Sequence, residues 1–189
     1  MQLDPAKTAL ILIDLQNAIV SAPTLAPYSS EQVVQNGSRL AEAFRARKAA
    51  VVYVRVDMGN TLRLTVDKPT RDPNAPPPPA SASELVPAAG FQTGDVFVTK
   101  RHWGAFAGTN LEQVLRQRGI DTVVIGGIST NMGVESTVRQ GTGLGFAFVV
   151  VEDACTTSLG EEAHKFALEK IFPRLAQVRK IDEVMAALG

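Results

Sequence analysis

Four stretches of this chain are apolar almost without interruption, and all are short: Thr8–Ile13, residues 49–56, residues 122–125 and the run that ends at Val151. A strand with one face in water alternates polar and apolar side chains. A strand apolar at nearly every position is buried on both faces, which is the condition of a parallel sheet covered by helices. Residues 95–100 and a short segment around Gln177 and Val178 add two further strands. The stretches between them carry helix signals. Ser29-Ser-Glu-Gln32 reads as a capping box that opens a helix to about Arg47, with Val33, Leu40 and Phe44 on one stripe. Thr109-Asn-Leu-Glu112 reads as a second box for a helix ending at Gly119, and Ser158-Leu-Gly-Glu161 as a third, for a helix running to Phe172 ahead of Pro173. A last helix covers residues 182–188. Strands alternating with helices predict a three-layer αβα fold, a doubly wound six-stranded parallel sheet.

The 189 residues, 45% of them hydrophobic, suit one domain with a sizeable core. One segment breaks the alternation. Between residues 57 and 94, Pro69, Pro73 and the run from Pro76 to Pro79 forbid regular structure and leave a long loop. Such a loop is a disordered excursion, a lid over the active site or an arm packing on another subunit. Nineteen basic residues balance nineteen acidic ones, so no net field recruits nucleic acid or an anionic membrane; a small-molecule substrate is the expected partner. The single cysteine, Cys155, rules out an intrachain disulfide and suits a reducing compartment. The first residues lack the basic region of a signal peptide, and no apolar run approaches a membrane span, so the expected location is cytoplasmic.

The fourth strand leads directly into Gly126-Gly-Ile-Ser-Thr-Asn-Met-Gly-Val-Glu-Ser-Thr-Val-Arg139. Two glycines allow a sharp turn, and Ser129, Thr130 and Asn131 can cap the following helix and leave its first N–H groups pointing at a ligand. This run resembles the signature of the isochorismatase-like (cysteine hydrolase) superfamily, whose usual form has a nucleophilic cysteine where this chain has Gly133. Leu10-Ile-Leu-Ile-Asp14-Leu-Gln-Asn17 resembles the family's first catalytic segment, and Val98-Thr-Lys100-Arg-His-Trp-Gly-Ala-Phe106 its lysine segment. The resemblance implies the strand order 3-2-1-4-5-6, a homo-oligomer, and a non-proline cis peptide between Ile128 and Ser129 that aims main-chain N–H groups into the crevice. In that order strands 1 and 4 are neighbours, so Asp14 and the 128–133 turn face each other across the switch point, with Lys100 on the same rim.

The family likeness makes Asp14 the general acid or base and Lys100 its partner, while Gly133 excludes covalent attack from that position. The isochorismatases proper also lack the cysteine; there the resemblance implies an aspartate that protonates an enol ether carbon, with water completing hydrolysis. Gln16, Asn17, Arg55, Trp103, Phe106, Ile128, Ser129, Thr130 and Asn131 are candidate substrate contacts, with core packing the alternative for Trp103 and Phe106. Arg63 and Arg71 are solvated alternatives to Arg55, and Arg139 reads as structural. Cys155, at the end of the fifth strand, is a rival nucleophile that would make the protein an amidase. A catalytically silent metabolite-binding relative is the third reading. The metal site of nicotinamidase-like members needs Asp-x-His where this chain has Asp57-Met-Gly59, so neither metal nor cofactor is expected. Of the two histidines, His102 is expected to pack and His164 to lie on a helix surface.

Overall fold

A computed structural model describes residues 1–72 and 74–189. Six strands, β1 (Thr8–Ile13), β2 (Ala50–Val56), β3 (Val96–Lys100), β4 (Thr122–Ile128), β5 (Ala147–Thr156) and β6 (Gln177–Arg179), form one sheet in the order β3-β2-β1-β4-β5-β6. Every neighbouring pair is parallel. The uninterrupted apolar runs are thus explained. Leu10, Leu12, Val51, Tyr53, Val124 and Val149 face one layer, while Ile11, Ile13, Val54, Val98, Ile125 and Val150 face the other.

Helix α2 (Ser30–Ala46) covers the first layer, with Val33, Leu40 and Phe44 buried, and α6 (Ile181–Ala187) joins it through Ile181 and Val184. Its capping box forms as read: Gln32 N–H donates to Ser29 Oγ at 3.2 Å and Ser29 N–H to Gln32 Oε1 at 3.0 Å. The second layer is built by α3 (Leu111–Gln117) and α4 (Glu135–Gly143). A four-residue helix, α1 (Asn17–Val20), follows β1 and carried no sequence signal.

Several local expectations are corrected. The Thr109 box does not close: Asn110 is the cap residue, and the Thr109 hydroxyl is drawn to the Ala105 carbonyl at 2.6 Å while accepting from Leu111 N–H at 3.2 Å. The Ser158 box is absent too, since α5 (Glu161–Phe166) starts after Gly160, whose φ of 91° places the entry in a conformation open to glycine. That helix does not reach Phe172 as regular α-helix, passing instead into a wide turn over Ala167–Ile171. Pro173 has no N–H to give the 169 carbonyl, and its ring crowds that turn. Gly126 and Gly127 lie inside β4 rather than at its end. β5 runs past Val151 to Thr156, with a register shift against β4 between Ile125 and Gly127.

The 57–94 segment has no strand among its described residues, only short 3-10 turns at Ala80–Ser83 and Pro87–Ala89; Pro73 lies outside the described residues. Its later part is fastened to the sheet. Tyr53 donates to the Ala89 carbonyl at 2.6 Å, and Arg45 bonds the Gly90 carbonyl at 2.7 Å and pairs with Asp95 at 2.6 Å. Among the described residues, no helix is long and apolar enough to cross a membrane.

Candidate active site

β1 ends in Asp14, a non-glycine residue in the left-handed region at φ 55°. Few residues adopt that conformation, Asp and Asn among them, and it recurs at functional sites. Its N–H donates to the Val54 carbonyl at 2.8 Å, so the sheet enforces the turn. The side chain is buried. Lys100, at the end of β3, reaches past the end of β2 and donates from Nζ to Asp14 Oδ2 at 2.7 Å and to the His102 carbonyl at 3.0 Å. Lys100 is only 1% exposed, so this ion pair is not a surface contact. The other carboxylate oxygen, Oδ1, is buried with no hydrogen-bond partner among the described residues. Burial pushes the Asp14 carboxyl up to about 6, against the downward pull of the Lys100 ammonium.

β4 delivers the second component. Gly127 has φ 129°, and a Cβ there would collide with the Ile13 backbone, so the close approach of β1 and β4 depends on glycine. After Gly127 the Ile128–Ser129 peptide is cis, and a wide helical turn, Thr130–Val134, leads into α4. Gly133 sits on this turn directly above Asp14: a Cβ there would stand 3.4 Å from Asp14 Oδ2 and 3.0 Å from Ile13 Cγ2. The N–H groups of Met132 and Val134 both donate to the Ser129 carbonyl at 3.1 Å. Those of Thr130 and Asn131 open the turn, where no preceding carbonyl serves them.

Ser129, Thr130 and Asn131 do not cap the helix with their side chains as the sequence suggested. Two of them are held from the side. Thr130 Oγ1 lies 2.8 Å from His164 Nδ1, and Thr157 Oγ1 donates to Asn131 Oδ1 at 2.7 Å. His164 is therefore not on a surface: it is 3% exposed, and burial holds its pKa below the usual value, with Glu161 opposing. A signal for this was present, because His164 shares the i, i+3, i+4 stripe of Ala167 and Leu168, both buried.

Other candidates are committed elsewhere. Gln16 is buried and donates to the Val56 and Ala82 carbonyls at 3.0 and 3.2 Å, while its Oε1 accepts from Val56 N–H at 2.8 Å. Asn17 donates to the Ser81 carbonyl at 2.9 Å. Both amides strap the loop to β1 and β2 instead of facing a ligand. Arg55 spends its guanidinium on Thr99 Oγ1, the Ser83 carbonyl and the Phe97 ring, 4.9 Å to its centroid. Phe106 is buried in the core, stacked on Phe146 at 5.7 Å, so packing and not a pocket wall is its role; Trp103 remains half-exposed beside His102. Ile128 is buried where the turn begins. Arg71 bonds carbonyls of its own loop, and Arg139 pairs with Glu135 at 2.8 Å one helical turn away.

Cys155 is fully buried opposite Gly127 in the sheet, and burial pushes its thiol up to about 12. A thiol held so far from ionisation is a poor nucleophile. Among the described residues, no three His, Cys, Asp or Glu side chains converge as a ligand set for a metal ion. A groove of about 530 Å³ runs along α2, lined by Val20, Val34, Arg39 and Val86 among others, and takes in none of the Asp14 group, which lies beneath closed packing. What the three strand ends bring together is thus one half-bonded carboxyl, one buried ammonium, a glycine packed against the carboxyl and main-chain donors beside it.

Comparison with known proteins finds relatives over nearly the whole chain. The profile of the isochorismatase domain matches residues 8–183. An uncharacterized isochorismatase family protein of Escherichia coli O157:H7, YecD, is 41% identical over 192 residues, covering all of both chains. The ureidoacrylate amidohydrolase RutB of Methylobacterium radiotolerans is 30% identical over 210 residues, covering 99% of this chain and 81% of its own. The structure of an isochorismatase family protein from Burkholderia thailandensis superposes with a TM-score of 0.91 at 43% identity, over 98% of this chain and 97% of that one.

Proposed function

This chain belongs to the isochorismatase family of hydrolases, and on that footing we propose that it hydrolyses a small, carboxylate-bearing enol ether by acid catalysis from Asp14, in a branch of the family with glycine in place of the nucleophilic cysteine. The observation that carries this reading is the asymmetry of the Asp14 carboxyl. Oδ2 is tied to Lys100, Oδ1 is buried with no hydrogen-bond partner among the described residues, and burial pushes the carboxyl up to about 6. A carboxylic acid of that kind can deliver a proton near neutrality.

The proton goes from Asp14 to the terminal carbon of the enol ether double bond, leaving an oxocarbenium ion at the adjacent carbon. Water adds there, returning a proton, and the hemiketal collapses to a keto acid and an alcohol. No covalent enzyme intermediate forms. Lys100 fixes the carboxyl and steadies the carboxylate left by proton transfer. Gly133 sets no side chain against Asp14, and the opening N–H groups of the 129–133 turn are suited to bind the substrate's carboxylate.

The resemblance to ureidoacrylate amidohydrolases makes amide hydrolysis the second reading. It needs a nucleophile that Gly133 does not supply and that Cys155, with its thiol pushed to about 12, is ill placed to replace. The deciding experiment follows pyruvate release from isochorismate with a coupled dehydrogenase in the intact protein, Asp14→Asn and Lys100→Ala, with and without iodoacetamide. Release lost in Asp14→Asn and unaffected by iodoacetamide is expected. The rate should fall about tenfold per pH unit above pH 6, as the acid form is lost. No release from folded protein removes the enol ether reading. Turnover of amides then identifies an amidase, and stabilisation by carboxylates without turnover a binding protein.

A further inference from the structure

The buried histidine of α5 has no part in the chemistry above, yet it is bonded to the turn that faces Asp14. We propose that His164 is a positioning residue that, through Thr130, holds the main-chain donors of the 129–133 turn in line with the substrate carboxylate; this rests on the function proposed above. The argument starts from what grips the turn. Thr130 and Asn131 are consecutive, and each side chain is bonded to an element outside the turn, Thr130 to His164 at 2.8 Å and Asn131 to Thr157 at 2.7 Å. Thr157 is itself pinned by paired backbone bonds with Ala26 at 2.9 and 3.0 Å. Two clamps on adjacent residues fix the turn that carries Gly133 against Asp14.

The histidine is equally fixed. Its ring stands edge-on to Tyr28 at 6.0 Å, and the residue is buried. A hydroxyl beside an imidazole also suggests a nucleophile and its base. The contacts decide against that here: Thr130 is 0% exposed, and its hydroxyl is spent on His164 inside the fold, where it fixes the turn. His164 therefore acts through Thr130.

The test compares His164→Ala and His164→Asn with the parent protein in two ways. Asparagine can place a polar atom where Nδ1 stands. Amide exchange is read at Met132 and Val134, whose N–H groups donate within the turn, against Val123 to Ile125 in β4. Expected is about tenfold faster exchange at Met132 and Val134 in His164→Ala, the size of one neutral hydrogen bond, with β4 unmoved and partial recovery in His164→Asn. On isochorismate, KM should rise about tenfold with kcat and the position of the limb near pH 6 unchanged, as befits a lost carboxylate contact. Unchanged exchange in the turn overturns the proposal, and so does acceleration spread equally through β4, which would mark general loosening. If exchange responds locally while no form of the protein turns over isochorismate, the enol ether reading falls and the grip of His164 on the turn stands.

Discussion

Asp14 is the residue at which burial and charge disagree, and the disagreement is measurable. Its folded pKa of about 6 lies above the ordinary 3.8. The folded state thus holds the proton more tightly than the unfolded chain. The stabilisation this gives is fully present below about pH 4 and is lost as pH rises through 6. Asp14→Asn carries no such titration. Its unfolding free energy relative to the parent should therefore drift in its favour between pH 4 and 6.5, by up to about 3 kcal/mol at 1.36 kcal/mol per unit. Urea denaturation across that range checks it, and a constant difference would mean that Lys100 cancels the effect of burial. That Asp14 and Lys100 share one rim was legible in the sequence because both stand at strand ends of a parallel sheet, whereas Gly133 was picked out by the resemblance of its run to the family signature. Gln16 and Asn17 were legible as neighbours of the site but not in their role. Which polar groups satisfy a loop's carbonyls is set by tertiary contact, and nothing in a local pattern records it.

At the scale of elements, the strands were readable from apolar continuity, whereas the caps and turns were not. The Ser29 hydroxyl accepts from the N–H three residues on and closes its box; the Thr109 hydroxyl, turned to the Ala105 carbonyl, accepts from Leu111 N–H instead of Glu112 N–H, so the second box stays open. Gly126 and Gly127 marked a turn in the sequence, and in the fold they mark the near contact of β4 with its neighbours. The loop after β2 is the least predictable element, and its hold on the sheet passes through one side chain. Gln16 ties β1, β2 and the Ala80–Ser83 turn with three bonds, one of them to the N–H of Val56, which is 8% exposed. Replacing Gln16 with leucine keeps the volume and strands that N–H and two carbonyls without partners. A loss of about 2–3 kcal/mol in unfolding free energy is expected, read as a lower urea midpoint with unchanged slope. A loss under about 0.5 kcal/mol, the size of an ordinary surface change, would show that the strap does not hold the loop.

For the whole molecule, the sheet edge at β3 bears on assembly. β3 is an edge strand, and on it Phe97 and Thr99 stand exposed, with Arg55 and Phe91 beside them and no helix above. Beyond β2 the loop carries Leu62, Leu64 and Val66, exposed by 48, 61 and 55%. Their spacing of two puts them on one side of an extended segment, with Thr61, Arg63 and Thr65 between. The start of that segment is tied down by Leu62 N–H to the Arg101 carbonyl at 2.9 Å, close to Lys100, and by the Arg101 guanidinium to Asn60. Extended segments that expose alternate apolar residues beside a sheet edge invite pairing with another chain. A homo-oligomer is the expected state. Light scattering behind size exclusion should then give a multiple of the 20.2 kDa chain mass at micromolar concentration. Changing Leu62, Leu64 and Val66 together to serine should return the monomer, with the far-ultraviolet spectrum retained because none of the three lies in the core. A parent protein that elutes at 20.2 kDa would leave the segment as a lid on its own subunit. The same serine changes would then alter KM for the substrate and leave the mass as it was.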